Sequence, residues 1–176
     1  MHCEKKMKTL TVFTPTYNRK HTILRTYESL CRQSTDDFYW LIVDDGSSDG
    51  TREWVEGLGD KIVDFGTRFD WMGRVLDGED NNHFTINTGK FIIEYIYKPN
   101  GGLYTGYNAA YATIQSELCV CIDSDDYMPY DAVEKILHCW KEKGSDKYAG
   151  LLGLDYNIGT NELIGGTFPE GLDEDS

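Results

Sequence analysis

The sequence predicts an α/β fold, a three-layer sandwich around a mostly parallel central sheet. Short β-prone runs alternate with stretches of helical apolar spacing along most of the chain, the pattern of repeated strand–helix–strand units. Three polar clusters follow directly after such runs, and ligands of parallel sheets sit at the carboxyl ends of strands. A chain of 176 residues has room for one domain with one sizeable core, so a single domain over 1–176 is expected.

The opening run LTVF at 10–13 ends at Pro15, and Ile23, Leu24, Tyr27, Leu30 and Cys31 then keep helical spacing. A second strand, YWLIV at 39–43, stops at DDGSSDG, and 51–55 begins a short helix with Trp54 and Val55 as core contacts. The segment 59–90 is rich in Gly, Asp and Asn, with a turn at 78–82, and predicts a hairpin or an inserted lobe. Its aromatics Phe69, Trp71 and Phe84 either form a surface for an acceptor or for a homo-oligomer, or pack beneath that lobe. The strand FIIEYIY at 91–97 breaks at Gly101 and Gly102, after which Tyr107, Ala110, Tyr111 and Ile114 are spaced as a helix. LCVCI at 118–122 predicts a buried strand that takes Cys119 and Cys121 inside. Asp131 and Glu134 have capping-box spacing at the start of a helix whose apolar face is Val133, Ile136, Leu137 and Trp140. Residues 148–156 predict a last strand, and 165–176 a loose acidic tail.

Charge and composition exclude several classes. Thirty Asp and Glu against 17 Lys and Arg give a net charge of -13, which repels phosphate backbones, so no nucleic-acid partner is expected. An anionic ligand would then need a metal ion to supply local positive charge. The five cysteines, Cys3, Cys31, Cys119, Cys121 and Cys139, are odd in number and lack zinc-site spacing, which reads as structural thiols in a reducing compartment. No apolar run suits a signal peptide or approaches the roughly 20 residues of a transmembrane segment. The expected location is the cytoplasm, its membrane face included. G-x-G-x-x-G and G-K-[ST] are absent, and His2, His21, His83 and His138 are scattered as surface residues with no hydrolytic triad.

Each strand-end cluster has its own chemistry. Pro15, Thr16, Tyr17 and Asn18 form a turn that exposes amides and an aromatic face, and Tyr17 can stack on a nucleobase; an ordinary turn with Asn18 capping the helix is the alternative. Asp44 and Asp45 are adjacent carboxylates that repel each other unless something binds, and a carboxylate can accept a base imide or a ribose hydroxyl; a plain turn is the alternative. Asp123, Ser124, Asp125 and Asp126 place three carboxylates in four residues, an oxygen-rich set suited to Mg²⁺ or Mn²⁺ with sites left for a pyrophosphate; a solvated acidic loop is the alternative.

In this order LTVFTPTYNR, LIVDDGSSDGT, KPNGGLYTGYNAAY and ELCVCIDSDDYMP resemble family 2 glycosyltransferases, inverting enzymes of the glycosyltransferase-A fold, over roughly 9–140. The resemblance implies a nucleotide-diphosphate donor, a UDP-sugar by family preference, and a glycan or glycoprotein acceptor. Pro15, Thr16 and Tyr17 match the loop that holds the nucleoside. Asp45 matches the carboxylate that reads uracil, with Asp44 in support. Asp123 and Asp125 match the metal-binding Asp-x-Asp pair, for Mn²⁺ or Mg²⁺, and Asp126 orients that loop. Asn100, Gly101, Gly102 and Asn108 match the segment packed beside the donor. Tyr107 stands where many members have Arg, and Ala110 where many have Gly. No segment matches the motif that carries the catalytic base, and Asp155, Glu162 and Glu170 have no context that selects one of them. A fragment or short form without the acceptor half is expected, active as a transferase or acting only as a donor-binding module. A nucleotidyltransferase would carry a basic Gly-rich loop after the first strand, and PTYNR is not one.

Overall fold

The structure, a computed structural model, describes residues 8–79, 81–165 and 167. In chain order its elements are β1 (Leu10–Thr16), α1 (Lys20–Cys31), β2 (Phe38–Asp44), α2 (Thr51–Glu56), β3 (Asp60–Asp64), β4 (Thr67–Phe69), β5 (Val75–Glu79), β6 (His83–Asn87), β7 (Ile92–Tyr97), α3 (Leu103–Thr113), β8 (Leu118–Cys121), α4 (Ala132–Lys143), β9 (Tyr156–Asn157) and β10 (Glu162–Leu163). Six strands form the central sheet in the order β3-β6-β7-β2-β1-β8. β7, β2, β1 and β8 pair in parallel, while β6 is antiparallel to both β7 and β3. The fold is therefore the mixed, mostly parallel α/β sandwich that the alternation predicts.

Alternate residues of each central strand face different layers. Leu10, Val12, Trp40, Ile42, Ile93 and Tyr95 pack with Ile23 and Leu30 of α1, Val55 of α2 and Val133 of α4. Phe13, Leu41, Val43 and Ile96 pack with Ala109 and Ala110 of α3 on the other face. Full burial of one such aliphatic or aromatic side chain contributes about 1.5–3 kcal/mol, so the two faces together carry the fold. Gly106 of α3 faces Pro15 and Val43, where a Cβ would make only ordinary contact, at 3.8 and 3.9 Å.

The 59–90 segment divides between two places. β3 and β6 extend the central sheet, and β4 and β5 form a separate hairpin. Of its aromatics, Phe69 and Phe84 are buried, while Phe65 and Trp71 are exposed. β1 runs on through Pro15, which pairs with Val43 of β2. Its ladder to β8 ends at Phe13, so Pro15, with no N–H to give, stands where that ladder stops.

Several local expectations are corrected. Cys119 and Cys121 are exposed, because β8 is an edge strand that α3 reaches only at its end, where the Tyr107 hydroxyl meets Cys121 Sγ at 3.2 Å. Leu118 and Val120, on the opposite face, do pack against the core. The capping box does not form: the Asp131 side chain makes no cap hydrogen bond and pairs with Lys135, and Glu134 accepts from Ser34. Residues 148–155 form no strand, and only Tyr156–Asn157 pairs, with Glu162–Leu163. His83 is buried rather than superficial, while His21 and His138 are exposed. Most of the acidic tail at 165–176, Glu170 included, and both His2 and Cys3 lie outside the described residues. Among the described residues no helix is long and apolar enough to cross a membrane.

Candidate functional site

The four parallel strands β7, β2, β1 and β8 are neighbours, and each ends in one of the polar segments singled out above. Asp44 closes β2 in register with Thr16 of β1 and Tyr97 of β7. β2 and β8 flank β1, so the Asp44–Asp45 pair and the Asp123–Asp126 loop lie two strand spacings apart, about 10 Å.

The loops after β1 and β2 are tied to one another. Asn18 has a left-handed backbone, φ 53°. Its amide donates to Ser47 Oγ at 2.8 Å, and its Oδ1 accepts from the Ser48 amide at 2.8 Å. Asn18 is thus a cross-brace between loops and not the helix cap, a position held by Arg19 without a side-chain bond. Asp49 adds a second brace: its Oδ2 accepts from the Lys20 amide at 2.9 Å, and its Oδ1 takes the Thr51 amide and hydroxyl. Burial pushes the Asp49 carboxyl up, but these hydrogen bonds outweigh it and leave it below its ordinary range. Tyr17 stands on this braced turn with half its surface exposed. Thr16 is only 4% exposed, and its Oγ1 has no hydrogen-bond partner.

The two aspartates after β2 do different things. Asp44 is fully buried; Tyr95 Oη donates to its Oδ2 at 2.6 Å and the Ser47 amide to its Oδ1 at 2.7 Å. Burial holds the Asp44 carboxyl above the usual range despite those bonds, and burial also raises the Tyr95 phenol. Asp45 is gripped by the segment after β7. Its Oδ1 pairs with the ammonium of the fully buried Lys98 and accepts from the Gly101 amide at 3.0 Å, while its Oδ2 accepts from the Gly102 amide at 2.7 Å. Asn100 Nδ2 donates to the Asp45 carbonyl at 3.0 Å. The amides of Gly101 and Gly102 therefore turn inward to Asp45. Three of about four acceptor positions on that carboxylate are filled, which leaves one on Oδ2.

The β4–β5 turn closes this corner from outside. A Cβ on Gly101 would stand 1.8 Å from the Trp71 carbonyl oxygen, and one on Gly73 2.1 Å from that of Thr105. Asn108 Nδ2 donates to the Met72 carbonyl at 3.0 Å. Asn108 thus meets the hairpin turn, one turn into α3.

On the far side of β1, Asp123, Asp125 and Asp126 bring one carboxylate oxygen each within 4.8 Å of one another, all exposed, while Ser124 is buried. Burial raises the Asp126 carboxyl, and the charges of Asp125, Asp123 and Asp155 raise it further. Helix α1 holds the loop in place. Thr26 Oγ1 donates to the Asp126 carbonyl at 2.7 Å, and Ser29 Oγ accepts from the Met128 amide at 3.1 Å. Gln33 bridges the Pro129 carbonyl at 2.7 Å and the Val133 amide at 3.1 Å. Lys98, Tyr95, Thr26, Ser29 and Gln33 are the supporting residues that pattern reasoning missed. The signals for them were a Lys three residues before a glycine pair and, in Thr26 and Ser29, polar residues on the inner face of an amphipathic helix; Tyr95 and Gln33 carried none.

Comparison with known proteins agrees with this arrangement. The family model described as glycosyl transferase family 2 matches residues 11–154. The chondroitin synthase of Pasteurella multocida (strain Pm70) is 30% identical over 138 residues, 78% of this chain and 11% of that protein. The hyaluronan synthase of Pasteurella multocida matches equally, at 30% over 138 residues. The chain thus spans about a tenth of these relatives' length. Among solved structures, S. aureus TarS 1-349 superposes with a TM-score of 0.57 at 23% identity over 78% of this chain and 34% of that one. The same protein in complex with UDP gives 0.57, and with UDP-GlcNAc 0.55. A mostly parallel sheet, polar motifs at four adjoining strand ends and a family match over most of its length place this chain in glycosyl transferase family 2.

Proposed function

We propose that the cleft over the ends of β7, β2, β1 and β8 binds a nucleotide-diphosphate sugar, with uridine as the nucleoside, for transfer with inversion to a hydroxyl of a glycan or glycoprotein. The observation that carries this reading is the adjacency of these four strand ends, which lines up an aromatic residue, two differently held carboxylates and an acidic triad along one edge. Tyr17 offers its face to the base. The open Oδ2 position of Asp45 suits the uracil imide N–H, and the unpartnered Thr16 hydroxyl, beside Asp44 in register, suits a nucleoside oxygen or hydroxyl. Pro15, Asn18 and Ser124 shape the floor. Asn100, Gly101, Gly102 and Asn108 act by fixing Asp45 and the mouth.

The donor set fits a hard divalent cation. Asp123 and Asp125 would hold Mn²⁺ or Mg²⁺, because three exposed carboxylates within 4.8 Å repel one another and offer only oxygen. Bound there, such an ion supplies charge stabilisation to the departing diphosphate. The chain's own part is to keep the acidic loop rigid through Thr26, Ser29 and Gln33. We assign no catalytic base within the described residues. Transfer by this chain alone, and the alternative of a donor-binding module, are separated by assay: an active domain moves sugar to an acceptor, whereas a module binds donor without turnover. Because ligands that bind only the folded state raise its melting temperature, UDP and UDP-sugars should do so in the presence of Mn²⁺. Asp125→Ala should abolish the Mn²⁺-dependent part. A UDP response that is the same with and without Mn²⁺, in both proteins, removes the metal assignment; no response to any nucleotide removes the donor site.

A further inference from the structure

A cavity of about 520 Å³ lies on the α3 face of the sheet, away from the strand-end loops. Its size falls in the range of roughly 300–1,000 Å³ typical of small-molecule sites. The β4–β5 hairpin, the starts of β1 and β2, the middle of β7 and the carboxyl end of α3 enclose it. Tyr39, in its wall, precedes Asp44 by five residues on β2, roughly 16 Å along the strand. The cavity is thus spatially separate from the proposed donor cleft.

Its wall sets the rings of Tyr39, Phe65 and Phe69 beside the His83–Glu94 pair, with Lys8, Thr11, Gln115 and Ser116 among its other polar residues. Phe65, 43% exposed, lies across the His83 imidazole with centroids 4.3 Å apart, and Phe69 approaches the same ring at 5.9 Å. His83 Nε2 meets Glu94 Oε1 at 2.8 Å. His83 is 5% exposed, and its Nδ1 has no partner. Only two buried side-chain atoms among the described residues are in this position; the other is Thr16 Oγ1 in the donor cleft. A buried ring nitrogen without a partner is a defect of the empty protein, and a ligand hydroxyl, able to donate or accept, would mend it.

We infer that this cavity binds a neutral saccharide. A sugar ring has a C–H face that packs on an aromatic ring and a rim of hydroxyls for fixed polar atoms, which matches Phe65 and Phe69 beside His83 and Glu94. The Glu94 carboxylate and the overall charge of -13 turn away anions such as phosphates, and the ammonium in the wall, Lys8, is already paired with Asp37 at 3.5 Å. A purely apolar ligand would leave the His–Glu pair desolvated. The inference does not depend on the donor cleft, and a saccharide held here would tether a glycan to the domain.

The test is an amide-resolved NMR titration of the chain with N,N′-diacetylchitobiose, cellobiose and maltose, without nucleotide or metal. At least one should shift the amides of Phe65 and of residues 113–116. Phe65→Ala and Glu94→Gln should each weaken that binding about tenfold, the worth of one good contact, while their urea midpoints show both variants folded. Asp125→Asn should leave it unchanged. The inference is overturned by no response to any of the three sugars, by shifts confined to the strand-end loops, by binding that survives both cavity substitutions, or by shifts that follow protein concentration alone, which would assign this face to self-association.

Discussion

The ammonium of Lys98 and the carboxylate of Asp45 meet inside the protein, Lys98 fully buried and Asp45 nearly so. The pair joins the end of β2 to the segment that starts α3, and the Gly101 and Gly102 amides complete it. Removing one partner of a buried pair leaves a charge with nothing to balance it. Lys98→Met should therefore cost about 3–5 kcal/mol in urea unfolding, towards the lower end because both amides remain. The double variant Lys98→Met/Asp45→Asn should recover much of that loss. A double variant no better than the single would mean that Lys98 acts by its bulk and not its charge.

Asp44 poses the opposite problem, a buried carboxylate with hydrogen bonds but no cation among the causes of its shift. Its folded pKa lies above the unfolded value, so the folded state binds the proton more tightly. The stability this gives is complete below the unfolded value of about 3.8 and is lost as pH rises through the folded one. Asp44→Asn removes the titration. It should be more stable than the parent at pH 7, with the gap closing as pH falls towards 4. Urea midpoints of both proteins across that window decide it, and a gap that is constant with pH counts against the assignment.

The central elements were legible because their physics is local. β1, β2 and β7 are apolar runs buried in mid-sheet, and α1 and α4 repeat their apolar residues at helical spacing. β3 was not, since all five of its residues are exposed and only its ladder to β6 makes it a strand. Residues 148–156 show the converse: Leu151, Leu152 and Leu154 write an apolar run, yet they are exposed and pair with nothing in the sheets described. At the site, the residue types that face the cleft could be picked out from motifs, but the distinct hydrogen-bond environments of Asp44 and Asp45 could not. That difference comes from Tyr95 and Lys98, more than 50 positions away, and a Lys is exposed by default.

The hairpin turn should behave as a latch on the β7–α3 segment. Gly101→Ala must displace the Trp71 carbonyl, which its Cβ would approach to 1.8 Å, and neither backbone can yield cheaply. We expect a loss of about 1–3 kcal/mol from the forced shift. Hydrogen exchange should quicken at residues 67–79 and 101–105 while β1 and β2 stay protected. Uniform quickening across the sheet would mean that the turn is part of the core and not a latch.

Thr16 separates the needs of folding from those of binding. Its hydroxyl is buried without a partner, and an isosteric apolar replacement removes a group that gives the empty protein nothing. Thr16→Val should therefore raise unfolding stability by about 1–3 kcal/mol, the cost of an unmet buried polar group. If a nucleoside supplies the missing partner, the same variant should bind UDP about tenfold more weakly, the loss of one hydrogen bond. Calorimetric titration with UDP beside urea unfolding reads both effects. A stabilised variant with unchanged UDP affinity would keep the packing account of Thr16 and discard its contact with the nucleotide.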